Sequence, residues 1–65
     1  MKVRYDPEAD VLSILLSDAL VEESDESKPG VVLDYDSAGN VVGIEILNAS
    51  KRVGDPMSVE YAISL

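Results

Sequence analysis

The stretch "DYDSAGNVVGIE", residues 34–45, holds the side chains best placed to do chemistry. Asp34, Asp36 and Glu45 offer hard carboxylate oxygens; the Asp-x-Asp start, the glycine in sixth place and the glutamate in twelfth follow the spacing of a calcium-binding loop. That loop also wants an oxygen donor in fifth place, where this chain has Ala38, and helices on both sides, where it has "PGVVL" and "ILNAS". The same groups, taken as Asp34 with Asp36 or Asp34 with Glu45, could also act as an acid/base pair. A second acidic group, Asp6, Glu8 and Asp10 in "DPEAD", puts Val11 in the glycine's place and Ser17 in the glutamate's. It reads more simply as a turn whose aspartate accepts backbone N–H groups.

Composition narrows the chemistry further. The chain has no histidine and no cysteine, so it lacks the usual general base, the strongest nucleophile, disulfides, and the thiolate or imidazole ligands of structural zinc. Ser50 beside Lys51 makes no nucleophile pair, because neighbours along an extended chain face opposite ways. No catalytic, cofactor-binding or metal-ligating residue is expected. A metal-binding module built on Asp34, Asp36 and Glu45 is one alternative, and a minimal carboxylate enzyme at a dimer seam is another.

Thirteen acidic residues against five basic ones give a net charge of −8. Such a field repels phosphate backbones and anionic lipid surfaces; it reads most simply as what keeps a small protein in solution, and more sharply as selection of a basic protein partner. The opening "MKVRYDPEAD" puts charges and a proline where a signal peptide needs its apolar run, and no apolar stretch is long enough to span a bilayer. A cytoplasmic location is therefore expected, and the "NAS" sequon at 48–50 is idle.

The elements around these residues read as strands. "KVRY" alternates polar and apolar, "DPEAD" turns the chain, and "VLSILLS" has apolar residues on both faces, as a central strand would. Leu20 and Val21 could start an edge strand, and the charged stretch behind them, ending in Pro29-Gly30, reads as a loop. "VVLDYD" and "VVGIEILN" form a hairpin around "SAGN". With Gly39 as a left-handed bulge residue, Asp36 faces Asn40, Asp34 faces Val42, Val31 faces Glu45, and Glu45 points away from both aspartates. A type II′ turn at Gly39-Asn40 instead sets Asp34 opposite Glu45; it is disfavoured because it places like charges side by side, and it is the one register in which those carboxylates could meet. "ASKRVG" reads as an irregular exit. In "DPMSVEYAISL", Met57, Val59, Tyr61, Ile63 and Leu65 alternate with smaller or polar residues, which predicts a final strand; a short helix capped by Asp55 is the rival for 56–65.

The fold expected is mainly β: one domain over 1–65, an antiparallel meander of four or five strands with a possible short C-terminal helix. Its apolar positions are Val3, Tyr5, Leu12, Ile14, Leu16, Val31, Leu33, Val42, Ile44, Ile46, Val59, Tyr61 and Ile63. A domain this small buries only about 60% of its unfolded surface, and no long amphipathic helix is left to cover the sheet. A homodimer is expected for that reason. The function expected is a non-enzymatic protein-interaction module.

The signatures "YDPEADVLSILLSD" and "PGVVLDYDSAGNVVGIEILNASKRV" resemble the small bacterial proteins grouped as domain of unknown function 2283, over about residues 2–53. Ser13 departs from the pattern, since similar sequences often carry an aromatic there. The resemblance implies a small β-rich fold, carries over no catalytic residues, and suggests an antitoxin-like role because some such proteins sit beside small toxin-like ones.

Overall fold

The computed structural model describes residues 1–64. Five strands, β1 (Lys2–Asp6), β2 (Val11–Leu15), β3 (Glu23–Lys28), β4 (Val31–Tyr35) and β5 (Val41–Leu47), are followed by a single helical turn, α1 (Ala49–Arg52). They form one open antiparallel sheet in the order β1-β2-β5-β4-β3. The mainly β, single-sheet expectation is met, with the long β2–β3 connection carrying the chain across to the far edge.

Pairing puts the apolar residues on one face. Val3, Ile14, Ile44 and Leu33 lie in one cross-strand row, and Tyr5, Leu12, Ile46 and Val31 in the next. Side chains alternate along each strand, so Arg4, Ser13, Glu45 and Val32 form a row on the opposite face. Both faces remain open. Leu12, Val42 and Ala49 are the buried apolar residues among those described, and no large side chain is fully buried. The accessible surface is 5113 Å² and the radius of gyration 12.5 Å, against about 4,000 Å² and about 11 Å for a compact monomer of this mass and length.

Four expectations are corrected. Leu20 and Val21 lie outside the strands, and the acidic stretch expected to be a loop is β3. The cause is the Pro29-Gly30 turn: Lys28 pairs with Val31, so β4's partner must be whatever immediately precedes the turn. Proline in the second place and Gly30 at φ 82° in the third fit a type II turn, whose twist matches a hairpin poorly, and the ladder is irregular between Asp25 and Lys28. As an outer strand with both faces wet, β3 bears charge at little cost.

The exit "ASKRVG" contains α1, entered through Asn48 at φ 53°. Residues 57–64 are neither strand nor helix, and Leu65, placed in the expected final strand, lies outside the described residues. Alternation there gave the right period but no partner backbone. Pro56, Met57 and Val59 instead border a shallow groove over Val3, Tyr5 and Leu12.

The β3–β4 turn and α1 meet at Gly30. A Cβ there would collide with the Arg52 guanidinium, 2.6 Å from its Nε, and L side chains rarely adopt this φ. Gly30→Ala is expected to lower stability by about 1–2 kcal/mol from backbone strain, the exposed Arg52 side chain swinging aside at little cost. Adding Arg52→Ala should therefore recover little; thermal unfolding in which Gly30→Ala melts like the parent contradicts the left-handed turn.

Candidate functional site

The β4–β5 hairpin begins as the left-handed glycine register requires. Gly39 has φ 83°, its N–H donates to the Asp36 carbonyl at 3.1 Å, and the Asp36 N–H donates to the Asn40 carbonyl at 2.9 Å. Tyr35 then pairs with Val41, but Asp34 pairs with Gly43, leaving Val42 as one extra residue. Val42 is buried, and its carbonyl accepts the N–H groups of Leu16 and Ser17 from the end of β2.

This bulge overturns the expected facing of the carboxylates. Without it, Asp34 would oppose Val42 and Glu45 would point to the other face. With it, Val32 pairs with Glu45 and Asp34 with Gly43, so Asp34 and Glu45 share a face through a register that neither expected turn supplied. Gly43 makes the room: a Cβ at that position would lie 2.9 Å from Asp34 Oδ2. The Ser24 hydroxyl of β3 donates to Asp34 Oδ1 at 2.6 Å. Partial burial, then a hydrogen bond with Asp34 and the repulsion of its charge, push the Glu45 carboxyl above its usual range. Burial and a like charge beside it thus disfavour the ionised form of Glu45. Ser24 was missed because no strand was read in its segment.

Asp36 does not join them. Its Oδ1 accepts the N–H groups of Ala38 at 3.0 Å and Asn40 at 2.9 Å, and its Oδ2 accepts the Asn40 side-chain amide at 3.2 Å. The Asn40 backbone and side-chain bonds lower its pKa, as expected of a carboxylate spent on closing a turn. Among the described residues, no three of Asp, Glu, His or Cys gather as a metal site.

The other acidic group has a structural use. Asp6 Oδ1 accepts the N–H groups of Glu8 at 3.0 Å and Ala9 at 3.2 Å, the turn expected for "DPEAD". Asp10, at φ 58°, ties distant parts of the chain together. Its Oδ1 accepts the Tyr5 hydroxyl at 2.7 Å and the Ser50 N–H at 2.9 Å, its Oδ2 accepts the Ser50 hydroxyl at 2.7 Å, and its carbonyl accepts the Ala49 N–H at 3.0 Å. The Ser50 hydroxyl and the Tyr5 hydroxyl lower the Asp10 pKa, while the same bond raises that of Tyr5. Forty positions separate Asp10 from Ser50, and nothing local in the sequence signals their contact.

The two carboxyl groups should respond to pH with opposite signs. A folded pKa below the unfolded value gives stability that is complete above about pH 3.9 and is lost as pH falls through the folded value, so the deficit of Asp10→Asn should shrink on acidification. A raised pKa does the reverse: Glu45→Gln should match the parent near pH 3 and melt higher than it once pH passes through the folded Glu45 value. Melting temperatures from pH 3 to 8 check both; a Glu45→Gln variant less stable than the parent at pH 7 contradicts the carboxyl pair.

No curated protein and no solved structure matches the chain. The family model described as "Protein of unknown function (DUF2283)" matches residues 2–50, which takes in all five strands, the Tyr5–Asp10–Ser50 link and the Asp34–Glu45 pair. On that match, the chain belongs to the DUF2283 family.

Proposed function

We propose that the chain is a non-enzymatic protein-interaction module whose acidic sheet edge receives a basic protein partner. One observation carries this reading: β3 is an outer strand with all six residues exposed, and four carboxylates, Glu22, Glu23, Asp25 and Glu26, lie on or just before it. An open edge offers a row of backbone N–H and C=O groups to an incoming strand, which supplies affinity without a pocket. The carboxylates then select among strands: one bearing Lys or Arg is steered in, and an acidic one is repelled. The same charges discourage β3 from pairing with its own copy in another molecule.

The net charge of −8 extends that preference beyond the edge, and masking a small basic protein in an antitoxin-like way is a form this binding could take. Catalysis is less well supported, because Asp34 and Glu45 stand on an open sheet face in a chain without histidine or cysteine.

Affinity capture from native lysate with the parent and with Glu22→Gln/Glu23→Gln/Asp25→Asn tests the reading. Glu26 is left in place because it accepts the Gly30 N–H at 2.9 Å. The parent should retain a basic protein at low salt, release it at high salt, and lose it on neutralisation of the edge. Equal capture by both chains, or capture of nothing, overturns the proposal.

A further inference from the structure

The segment after α1 has the pattern of a strand and none of its bonds. Met57, Val59, Tyr61 and Ile63 alternate with Ser58, Glu60, Ala62 and Ser64, yet those four apolar side chains are 76, 62, 73 and 72% exposed. The Met57 and Ser58 N–H groups bond back to Asp55, at 2.9 and 3.2 Å; beyond them, among the described residues, the backbone of 59–64 makes no hydrogen bond to the sheet. Exposed alternation of this kind costs solubility unless something pairs with it.

The sheet has two open edges, and charge distinguishes them. On β3, Glu22, Glu23, Asp25 and Glu26 would repel Glu60. On β1, Lys2 and Arg4 alternate with Val3 and Tyr5, the complement of Glu60 alternating with Val59 and Tyr61. A strand laid along β1 would continue the apolar face with Val59 and Tyr61 beside Val3 and Tyr5, and would set Glu60 on the face of Lys2 and Arg4. The segment's own β1 does not hold it this way: Pro56, Met57 and Val59 share a groove with Val3, Tyr5 and Leu12, but among the described residues no backbone hydrogen bond joins 59–64 to β1.

We propose that residues 57–64 of each chain pair with β1 of a second copy, a reciprocal exchange that makes a two-fold dimer. The area is adequate: the chain exposes about 1,000 Å² more than a compact monomer of its mass would, and a standard interface needs about 800 Å² from each partner. Each edge of the sheet then has one use, β1 toward a second copy and β3 toward a basic partner, and the dimer stands whether or not the β3 reading does.

Sedimentation of the full chain from 1 to 100 µM tests the exchange, with far-ultraviolet circular dichroism confirming that each variant is folded. The parent should be dimeric at the upper end. Glu60→Lys and Lys2→Glu/Arg4→Glu should each weaken dimerisation by about tenfold or more, every change being repeated in both copies of the two-fold dimer, and the triple variant combining them should regain most of it. A parent that stays monomeric at 100 µM overturns the proposal, as does a dimer indifferent to these charges. Should Glu60→Lys fail to fold, Lys2→Glu/Arg4→Glu and the triple variant decide together: dimerisation weakened in the first and regained in the second supports the exchange, and any other pattern counts against it.

Discussion

The extra residue at Val42 is the constraint on which the rest of this sheet depends. Gly39 and Asp36 build a turn that sets Asp36 opposite Asn40, and that turn, continued without interruption, would leave β4 and β5 one residue out of phase. Val31 and Leu33 would then face away from Ile44 and Ile46, splitting the apolar surface between two sides. The other edge of β5 is already committed, because Leu12 pairs with Ile46 and Ile14 with Ile44. A bulge reconciles the two demands at the cost of one irregular step, and Val42 remains satisfied because Leu16 and Ser17 bond to its carbonyl.

Bringing the apolar rows into line forces the polar ones into line as well. Asp34 and Glu45 become neighbours as a by-product of uniting Leu33 with Ile44, and the absent side chain at Gly43 is what lets the Asp34 carboxylate settle there. The carboxyl pair is thus a consequence of hydrophobic register and needs no ligand to explain its existence. A comparable economy governs the other end of the sheet, where Asp10 uses its side chain and carbonyl to fasten the β1–β2 turn to α1. A single layer with few buried groups has little else to hold its corners together.

Local features of this fold were legible in the sequence and those decided across the sheet were not. The "SAGN" turn could be read because Asp36, Gly39 and Asn40 act within a few residues of one another. The bulge could not, since it arbitrates between that turn and the pairing of β5 with β2. β3 escaped because its residues carry none of the apolar alternation that marks a half-buried strand; it is a strand because Pro29-Gly30 folds it onto β4. The alternation of 57–63 was plain, and its failure to pair within the chain is what gives the segment its interest.

A sheet that exposes both faces, keeps an acidic edge on one side and a basic one on the other, and carries an unpaired alternating segment is suited to contact other chains. All of this rests on the β4–β5 register, which cross-hydrogen-bond couplings in nuclear magnetic resonance would measure directly. The account expects two couplings together: the Asp36 N–H to the Asn40 carbonyl, and the Leu47 N–H to the Gly30 carbonyl. Finding the first with the Gly30 carbonyl coupled to the Ile46 N–H instead would mean an unbroken ladder without the Val42 bulge, and would contradict both the single apolar face and the Asp34–Glu45 pair.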